Sequence, residues 1–282
     1  ETEGLVYLGV MAVSLLLGQL MSFRKPENTV FYLKEGCVAT SLSWILLSIF
    51  GAFPFVLTGE IPSFTDALFE TVSGFTTTGA SILSDVEALS HCTIMWRSFT
   101  HWIGGMGVLV FLLAIVPLSG GSHINLMRAE SPGPSVGKFV PKIKHTARIL
   151  YLIYLGMTIL QIILLCFGDM PLFEAINTGF ATAGTGGFGI KNDSFASYSP
   201  YLQWVTTIFM ILFGVNFNAY YILLFSKFKK GFFIEEVRCY FLIILSAIGI
   251  IFINIWETSA SAFQALTDAS FQVASIITTT GF

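Results

Sequence analysis

Three short clusters of threonine and glycine carry the chemistry that this sequence can offer. They are Thr76-Thr77-Thr78-Gly79, Gly184-Thr185-Gly186-Gly187 and Thr278-Thr279-Thr280-Gly281. Short residues let the backbone run extended with its carbonyls turned to one side. Glycine also reaches dihedrals closed to other residues. Rings of such carbonyls can replace the hydration shell of a potassium ion. One TTTG would be a weak pattern, but these three sit in matching surroundings. FTDALFETVSGFTTTGA (64–80), LFEAINTGFATAGTGGF (172–188) and LTDASFQVASIITTTGF (266–282) align without a gap. Each opens on an acid followed by alanine, at Asp66, Glu174 and Asp268. Each reaches its glycine (Gly79, Gly187, Gly281) thirteen residues after the acid. This is an internal repeat.

The elements that must position these clusters are built for lipid. The chain has 282 residues, of which 54% are hydrophobic and only 11% charged, with a mean hydropathy of +0.78. Soluble domains carry about 25% charged residues. The net charge of −3 leaves no electrostatic footprint for nucleic acid, and none is expected as a partner. The four cysteines, Cys37, Cys92, Cys166 and Cys239, form no CxxC pair, and three are expected to be small buried hydrophobes. The chain starts abruptly at Glu1, which suggests a missing N-terminus.

Gaps between charges locate the spans: Gly4–Phe23, Gly36–Gly59, Ser98 to about Pro117, Ile149–Gly168, about Pro200 to Ser226, and Cys239–Trp256. About 20 apolar residues cross the hydrocarbon core, so six spanning helices are expected. Arg24, Lys25 and Lys34 follow the first span. Arg128, Lys138, Lys142, Lys144 and Arg148 follow the third, and Lys227, Lys229, Lys230 and Arg238 follow the fifth. Loops 24–35, 118–148 and 227–238 are therefore expected to be cytoplasmic. The opposite side carries only Arg97 and Lys191 of the basic residues, with Glu60, Asp66, Glu70, Asp85, Glu87, Asp169, Glu174, Asp193, Glu257 and Asp268. That side reads either as a cation-concentrating vestibule or as an ordinary solvated surface.

Each Gly/Thr cluster lies between an outward and an inward span, after an apolar stretch too short to cross. Non-helical backbone at membrane depth is tolerated only when buried in protein or lining a water-filled cavity. The pattern therefore predicts re-entrant half-helices facing one axis. The first, Asp66 to about Phe75, would be roughly 15 Å long, half the hydrocarbon thickness. Its C-terminal end would carry partial negative charge towards the bilayer centre. Asp66, Glu174 and Asp268 are expected at the N-terminal ends, as first-turn acids that stabilise each half-helix. A competing reading makes Gly79 a simple C-cap glycine.

With these clusters stand WRSFTHWIGGMG (96–107), RAESPGP (128–134) and PKIKHTARILYLIY (141–154). Together they resemble the membrane subunits of bacterial Trk-type potassium uptake systems, in the TrkH branch of the Trk/Ktr/HKT superfamily. The resemblance covers essentially the whole chain. It implies an all-α integral membrane fold of helix–pore-loop–helix repeats around a central pore, often preceded by an extra helix pair. On that pattern, 1–35 is an extra N-terminal helix with its loop, and 36–117 is the first repeat. A cytoplasmic linker occupies 118–143, the second repeat 144–226, and the first half of the third 227–282. The family has four repeats, so this chain is expected to be a fragment of a protein roughly 200 residues longer. The resemblance maps the filter onto Thr76, Thr77, Thr78, Gly79, Gly184, Thr185, Gly186, Gly187, Thr278, Thr279, Thr280 and Gly281, with potassium as substrate and no transition-metal site. In relatives, serine in place of a filter glycine goes with sodium permeation, and all three positions here are glycine. It further implies a homodimer in the bacterial inner membrane, in contact with lipid, and a cytosolic nucleotide-binding regulatory subunit of the TrkA kind.

Two other classes compete. An ion-coupled (Na⁺ or H⁺) symporter with alternating access would show broken spanning helices. Here the expected breaks all lie in re-entrant loops, which favours a pore. An intramembrane enzyme using His91 or His101 would need a convergent acid–base or metal constellation, and none is visible. GGMG (104–107) reads as close packing of small residues, and Asn216 and Asn218 as interhelical hydrogen-bonding groups.

Overall fold

The structure, a computed structural model, describes residues 2–23, 33–107, 143–225 and 235–282. Most of the expected cytoplasmic loops, RAESPGP, the end of the third span at Pro117 and the side chain of Asn218 lie outside these residues. The described chain is helical: α1 (Thr2–Ser22), α2 (Leu33–Thr58), α3 (Phe64–Phe75), α4 (His91–Gly105), α5 (Ile143–Phe167), α6 (Leu172–Ala183), α7 (Pro200–Phe213), α8 (Phe217–Phe225), α9 (Glu235–Ile255) and α10 (Ala262–Ile277).

α1, α2, α5 and α9 are each long and apolar enough to cross a membrane. Their outward faces expose large hydrophobic side chains such as Leu16, Ile45, Leu160 and Ile250, which suits acyl chains as solvent. Cys37, Cys92 and Cys239 also lie on exposed faces, and Cys166 is half-buried, against the burial expected of three of them. Helix starts follow local chemistry. Ser63, Ser90, Ser199 and Ser261 each accept a hydrogen bond from the amide three residues on, opening α3, α4, α7 and α10. Pro200 adds a preset φ at the first position of α7.

The short helices α3, α6 and α10 sit deepest. Ala67, Ala175, Ala181, Ala265 and Ala274 are essentially fully buried, and such small side chains let backbones approach closely. The packing has a repeating sense. α2, α5 and α9 lie against α3, α6 and α10 respectively, while α4 lies between α3 and α6, and α7 between α6 and α10. Each helix that follows a Gly/Thr turn therefore bridges its own short helix and the next one. The main core lies where α5, α6, α7 and α10 meet, around Tyr154, Leu165, Met210 and Ala274.

The expectation of an unbroken fifth span is overturned. α7 stops at Phe213 and α8 begins at Phe217. Two hydroxyls bond carbonyls at the break. Tyr240 donates to the Ile211 oxygen at 3.0 Å, and Tyr220 donates at 2.6 Å to the Leu212 oxygen, which also accepts from the Val215 amide at 3.2 Å. A methyl group on Gly214 would crowd Tyr240 Oη and would lie 2.8 Å from Thr278 Cγ2, so this corner has no room for a side chain. Asn216 lies in the break rather than within a helix, and from there donates to Glu236 of α9 at 3.3 Å. The described part of the third span, α4, also ends early, in GGMG. Both helices end 26 residues past their turn glycine (79 to 105, 187 to 213).

Gly104 and Gly105 of GGMG are packing positions, set against the ends of α3 and α6 and the turns that follow them. A methyl on Gly105 would lie 2.6 Å from Gly184 Cα and 2.8 Å from Tyr154 Oη. Gly105→Ala is expected to destabilise the protein by about 1–3 kcal/mol through overpacking. Gly249→Ala, with nothing within 4 Å, should be neutral or stabilising by up to about 1 kcal/mol. Thermal unfolding of both variants in detergent checks the contrast.

Candidate ion-binding site

Each short helix ends in the same unusual turn. In the first, the Thr77 amide bonds to the Gly74 carbonyl and the Thr78 amide to that of Ser73. In the second, Thr185 bonds to Thr182 and Gly186 to Ala181. In the third, Thr279 bonds to Ile276 and Gly281 to Ser275. The first two are the paired bonds of a Schellman cap, which requires a left-handed residue just past the helix. That residue is threonine in all three turns: Thr77 (φ 53°), Thr185 (φ 52°) and Thr279 (φ 58°). Gly79, Gly187 and Gly281 follow with φ of 75°, 76° and 79°. The turn glycine is therefore not the cap residue, because a threonine already holds that place.

A β-branched residue in the left-handed region is a true outlier and costs on the order of 1–3 kcal/mol. Here it recurs three times in register. Its effect is to keep the turn carbonyls free. Among the described residues, no backbone amide donates to the carbonyls of Thr76–Gly79 or Gly184–Gly187. In the second turn Gly184 and Gly186 are buried, where unpaired carbonyls are rare enough to demand a reason.

The three turns meet. A methyl on Gly79 would collide with the Gly186 carbonyl oxygen and would lie 3.6 Å from that of Thr280. One on Gly187 would collide with the Thr280 carbonyl. Peptide oxygens of the second and third turns thus crowd the glycines of the first and second. The C-terminal ends of α3, α6 and α10, with their partial negative charge, converge on the same place.

Two of the three acids take the expected position. Asp66 lies in the first turn of α3 and Glu174 in that of α6. Glu174 accepts from the Tyr198 hydroxyl at 2.8 Å. Burial, and next that hydrogen bond, push the Tyr198 phenol well above its ordinary range. Asp268 does not sit at a helix start. α10 begins at Ala262, capped by Ser261, so Asp268 lies in its second turn and accepts from Gln264 at 2.8 Å. The apolar, well-capped stretch before it extends the helix by about one turn relative to α3 and α6.

Behind the first turn stands a feature that the charge pattern hid. Glu70 is 1% exposed and Arg97 2% exposed, and they form a buried ion pair with Nη2 to Oε1 at 2.7 Å and Nε to Oε1 at 2.8 Å. Glu70 therefore belongs to no outer vestibule. Its carboxylate also accepts from the Ser81 hydroxyl at 2.9 Å and the Ile82 amide at 3.1 Å, which anchors the chain leaving the first turn. The Arg97 guanidinium lies 4.2 Å over the Phe188 ring, one residue past the second turn. A single buried pair so touches two turns. The available signal was Arg97 itself, one of two basic residues expected on the acidic side.

Farther out, the loops after the first and second turns are clasped. Asn192 donates to Asp85 at 2.8 Å and to Glu87 at 3.0 Å, and accepts from the Val86 amide at 2.8 Å. The Asn192 bond holds the Asp85 carboxyl below its usual range. The remaining candidates are not brought into a catalytic arrangement. His91 packs against Phe173 at 4.4 Å, and His101 stacks on Phe188 at 4.0 Å.

The TrkH family model, described as a cation transport protein, matches residues 5–282. The Trk system potassium uptake protein TrkH of Salmonella typhimurium is 34% identical over 293 aligned residues, covering 100% of this chain and 60% of that protein. The Trk system potassium uptake protein TrkG of Escherichia coli K12 is 36% identical over 228 residues, covering 79% of this chain and 47% of that protein. The crystal structure of the potassium transporter TrkH from Vibrio parahaemolyticus superposes with a TM-score of 0.84 at 28% identity, covering 100% of this chain and 59% of that one. The chain thus spans about half to 60% of the length of the relatives it matches.

Breaking the buried pair from one side, in Glu70→Gln or Arg97→Met, is expected to cost about 3–5 kcal/mol. The combined Glu70→Leu/Arg97→Met variant should be closer to the parent than either, as read from thermal unfolding. The Asp85 clasp gives a pH dependence. Its folded pKa is depressed, so its contribution is present at neutral pH and lost as pH falls through that value, below about pH 4. Probes on the 81–90 and 189–199 loops are expected to separate on that acidification, and to be already separated at neutral pH in Asn192→Ala.

Proposed function

The chain belongs to the TrkH family of cation transport proteins, and on that premise we propose that it forms part of a membrane pore for potassium uptake. In this reading the turns at 76–79, 184–187 and 278–281 are strands of a selectivity filter. Their carbonyl oxygens replace the water around K⁺, and α3, α6 and α10 are re-entrant half-helices that enter from outside. The observation that carries the reading is the meeting of three turns, each held open by a left-handed threonine and a positive-φ glycine.

The rest of the assignment follows from it. Residues 36–117 and 144–226 form two repeats, and 227–282 begins a third. The basic loops face the cytoplasm across the bacterial inner membrane, whose potential supplies about 2.3 kcal/mol per 100 mV for each charge moved inward. Relatives carry the name of a Trk system, which supports a multi-component assembly. We assign as its parts a homodimer and a cytosolic nucleotide-binding subunit of the TrkA kind. One observation favours the alternative of an ion-coupled symporter. The break between α7 and α8 at membrane-spanning length is the device that alternating access uses, so the absence of broken spans no longer argues for a pore.

Flux into liposomes by the full-length protein separates the two, comparing K⁺, Rb⁺, Na⁺ and Li⁺ with and without a proton or sodium gradient. Uptake that follows the potential alone supports a pore, and uptake that requires the second gradient supports symport. Gly79→Ser is expected to lower K⁺ over Na⁺ discrimination at least about tenfold, equivalent to ~1.4 kcal/mol. Unchanged discrimination in that variant overturns the filter assignment.

A further inference from the structure

The three turns share a backbone but not a back wall. In the first, Thr76 Oγ1 donates to the Val72 carbonyl at 2.7 Å and meets Thr78 Oγ1 at 2.8 Å. In the third, Thr278 Oγ1 donates to the Ala274 carbonyl at 2.7 Å and meets Thr280 Oγ1 at 2.7 Å. Each pair of hydroxyls ties its turn back to the helix that carries it. The second turn has glycine at both matching places, Gly184 and Gly186, so it cannot make this clasp. It nevertheless holds the same dihedrals, with Thr185 at φ 52° and Gly187 at φ 76°. Something other than the clasp must hold it.

His101 occupies the vacated volume. It comes from α4, the helix that bridges the first and second short helices. A methyl on Gly186 would collide with the imidazole at Nδ1 and Cε1, and one on Gly184 would collide with the His101 main-chain carbonyl. The ring stacks on Phe188 at 4.0 Å with an interplanar angle of 19°. His101 is 0% exposed, and among the described residues neither ring nitrogen has a hydrogen-bond partner. Burying an imidazole this way costs free energy, so apolar packing alone is a poor reason for its type. The position 108 residues later, by the offset between the turn glycines, is Phe209 in α7. There the following turn keeps both threonines.

We propose that His101 is the positioning residue of the second turn, replacing the missing threonine clasp as its back wall and setting ion discrimination there. This rests on the filter reading above. His101 touches no ion; it acts by holding the Gly184–Gly187 carbonyls in place. Glycine at 186 and histidine at 101 are then one device.

The test is a size-compensation cycle in the full-length protein, reading the K⁺/Na⁺ flux ratio in liposomes beside the unfolding temperature. His101→Ala and Gly186→Ala are each expected to lower the ratio about tenfold. The His101→Ala/Gly186→Ala combination refills part of the space and should return to within about threefold of the parent. Loss of stability without change in the ratio identifies a merely structural residue and overturns the proposal. So does a double variant no better than the worse single. His101→Asn, smaller but polar, takes the place of His101→Ala if that variant does not fold, with the same expectation. Gly79→Ser is measured alongside. If it alters the ratio and the His101 variants do not, this inference alone fails. If none alters it, the filter reading fails as well.

Discussion

Peptide oxygens that no amide satisfies are the constraint around which this chain is organised. A helix end normally pairs its last carbonyls, and a buried carbonyl without a partner is costly. Here three helices end by turning through a left-handed threonine and then a positive-φ glycine, which directs carbonyls away from their own helix. Such a conformation persists only when its surroundings over-determine it. The surroundings do so: α4 and α7 each wedge between consecutive short helices, and their glycine-bearing ends press on the turns themselves. The lipid-facing shell, the buried small residues and the spacing of the repeat all follow from the need to bring three such turns together and keep them rigid.

Much of this was legible in the residues. Long uncharged runs mark α1, α2, α5 and α9, because few other environments tolerate 20 apolar residues in a row. The repeat was legible because turn chemistry is local: glycine and threonine at fixed offsets describe the same backbone three times. What escaped were contacts between segments distant in the chain. Glu70 and Arg97 are 27 residues apart, and each alone looks like a surface charge; only packing of α3 on α4 makes them a buried pair. Asp268 was misplaced because the repeat alignment carries no information on where a helix starts, and Ser261 starts it earlier. The break at Gly214 was hidden because apolarity continues through it. Its cause lies in Tyr220, Tyr240 and Thr278, which approach from elsewhere.

The buried charge and the buried imidazole show how rigidity passes between repeats. Arg97 and His101 are four residues apart and so share one face of α4. Arg97 grips the chain leaving the first turn through Glu70 and covers Phe188 beyond the second. His101 packs against the same Phe188 and against Gly186. One helix face therefore fixes two turns at once, and neither can shift without disturbing the other. This differs from a site assembled on separate loops, where each segment could relax alone.

That coupling bears on what a dehydrating site requires. Carbonyl oxygens repel one another, and a soft ring of them would close or splay to suit whichever ion arrived. Discrimination between ions of different radius draws on cavity size or on the number of coordinating oxygens, and the residues behind a turn bear on both by holding its carbonyls in place. In the first and third turns the wall is a hydroxyl pair bonded to the turn's own helix. In the second it is borrowed from the preceding repeat. The three turns share their dihedrals but not the side chains that hold them. On the proposed filter reading, one of three similar turns then owes its geometry to a helix that follows a different turn.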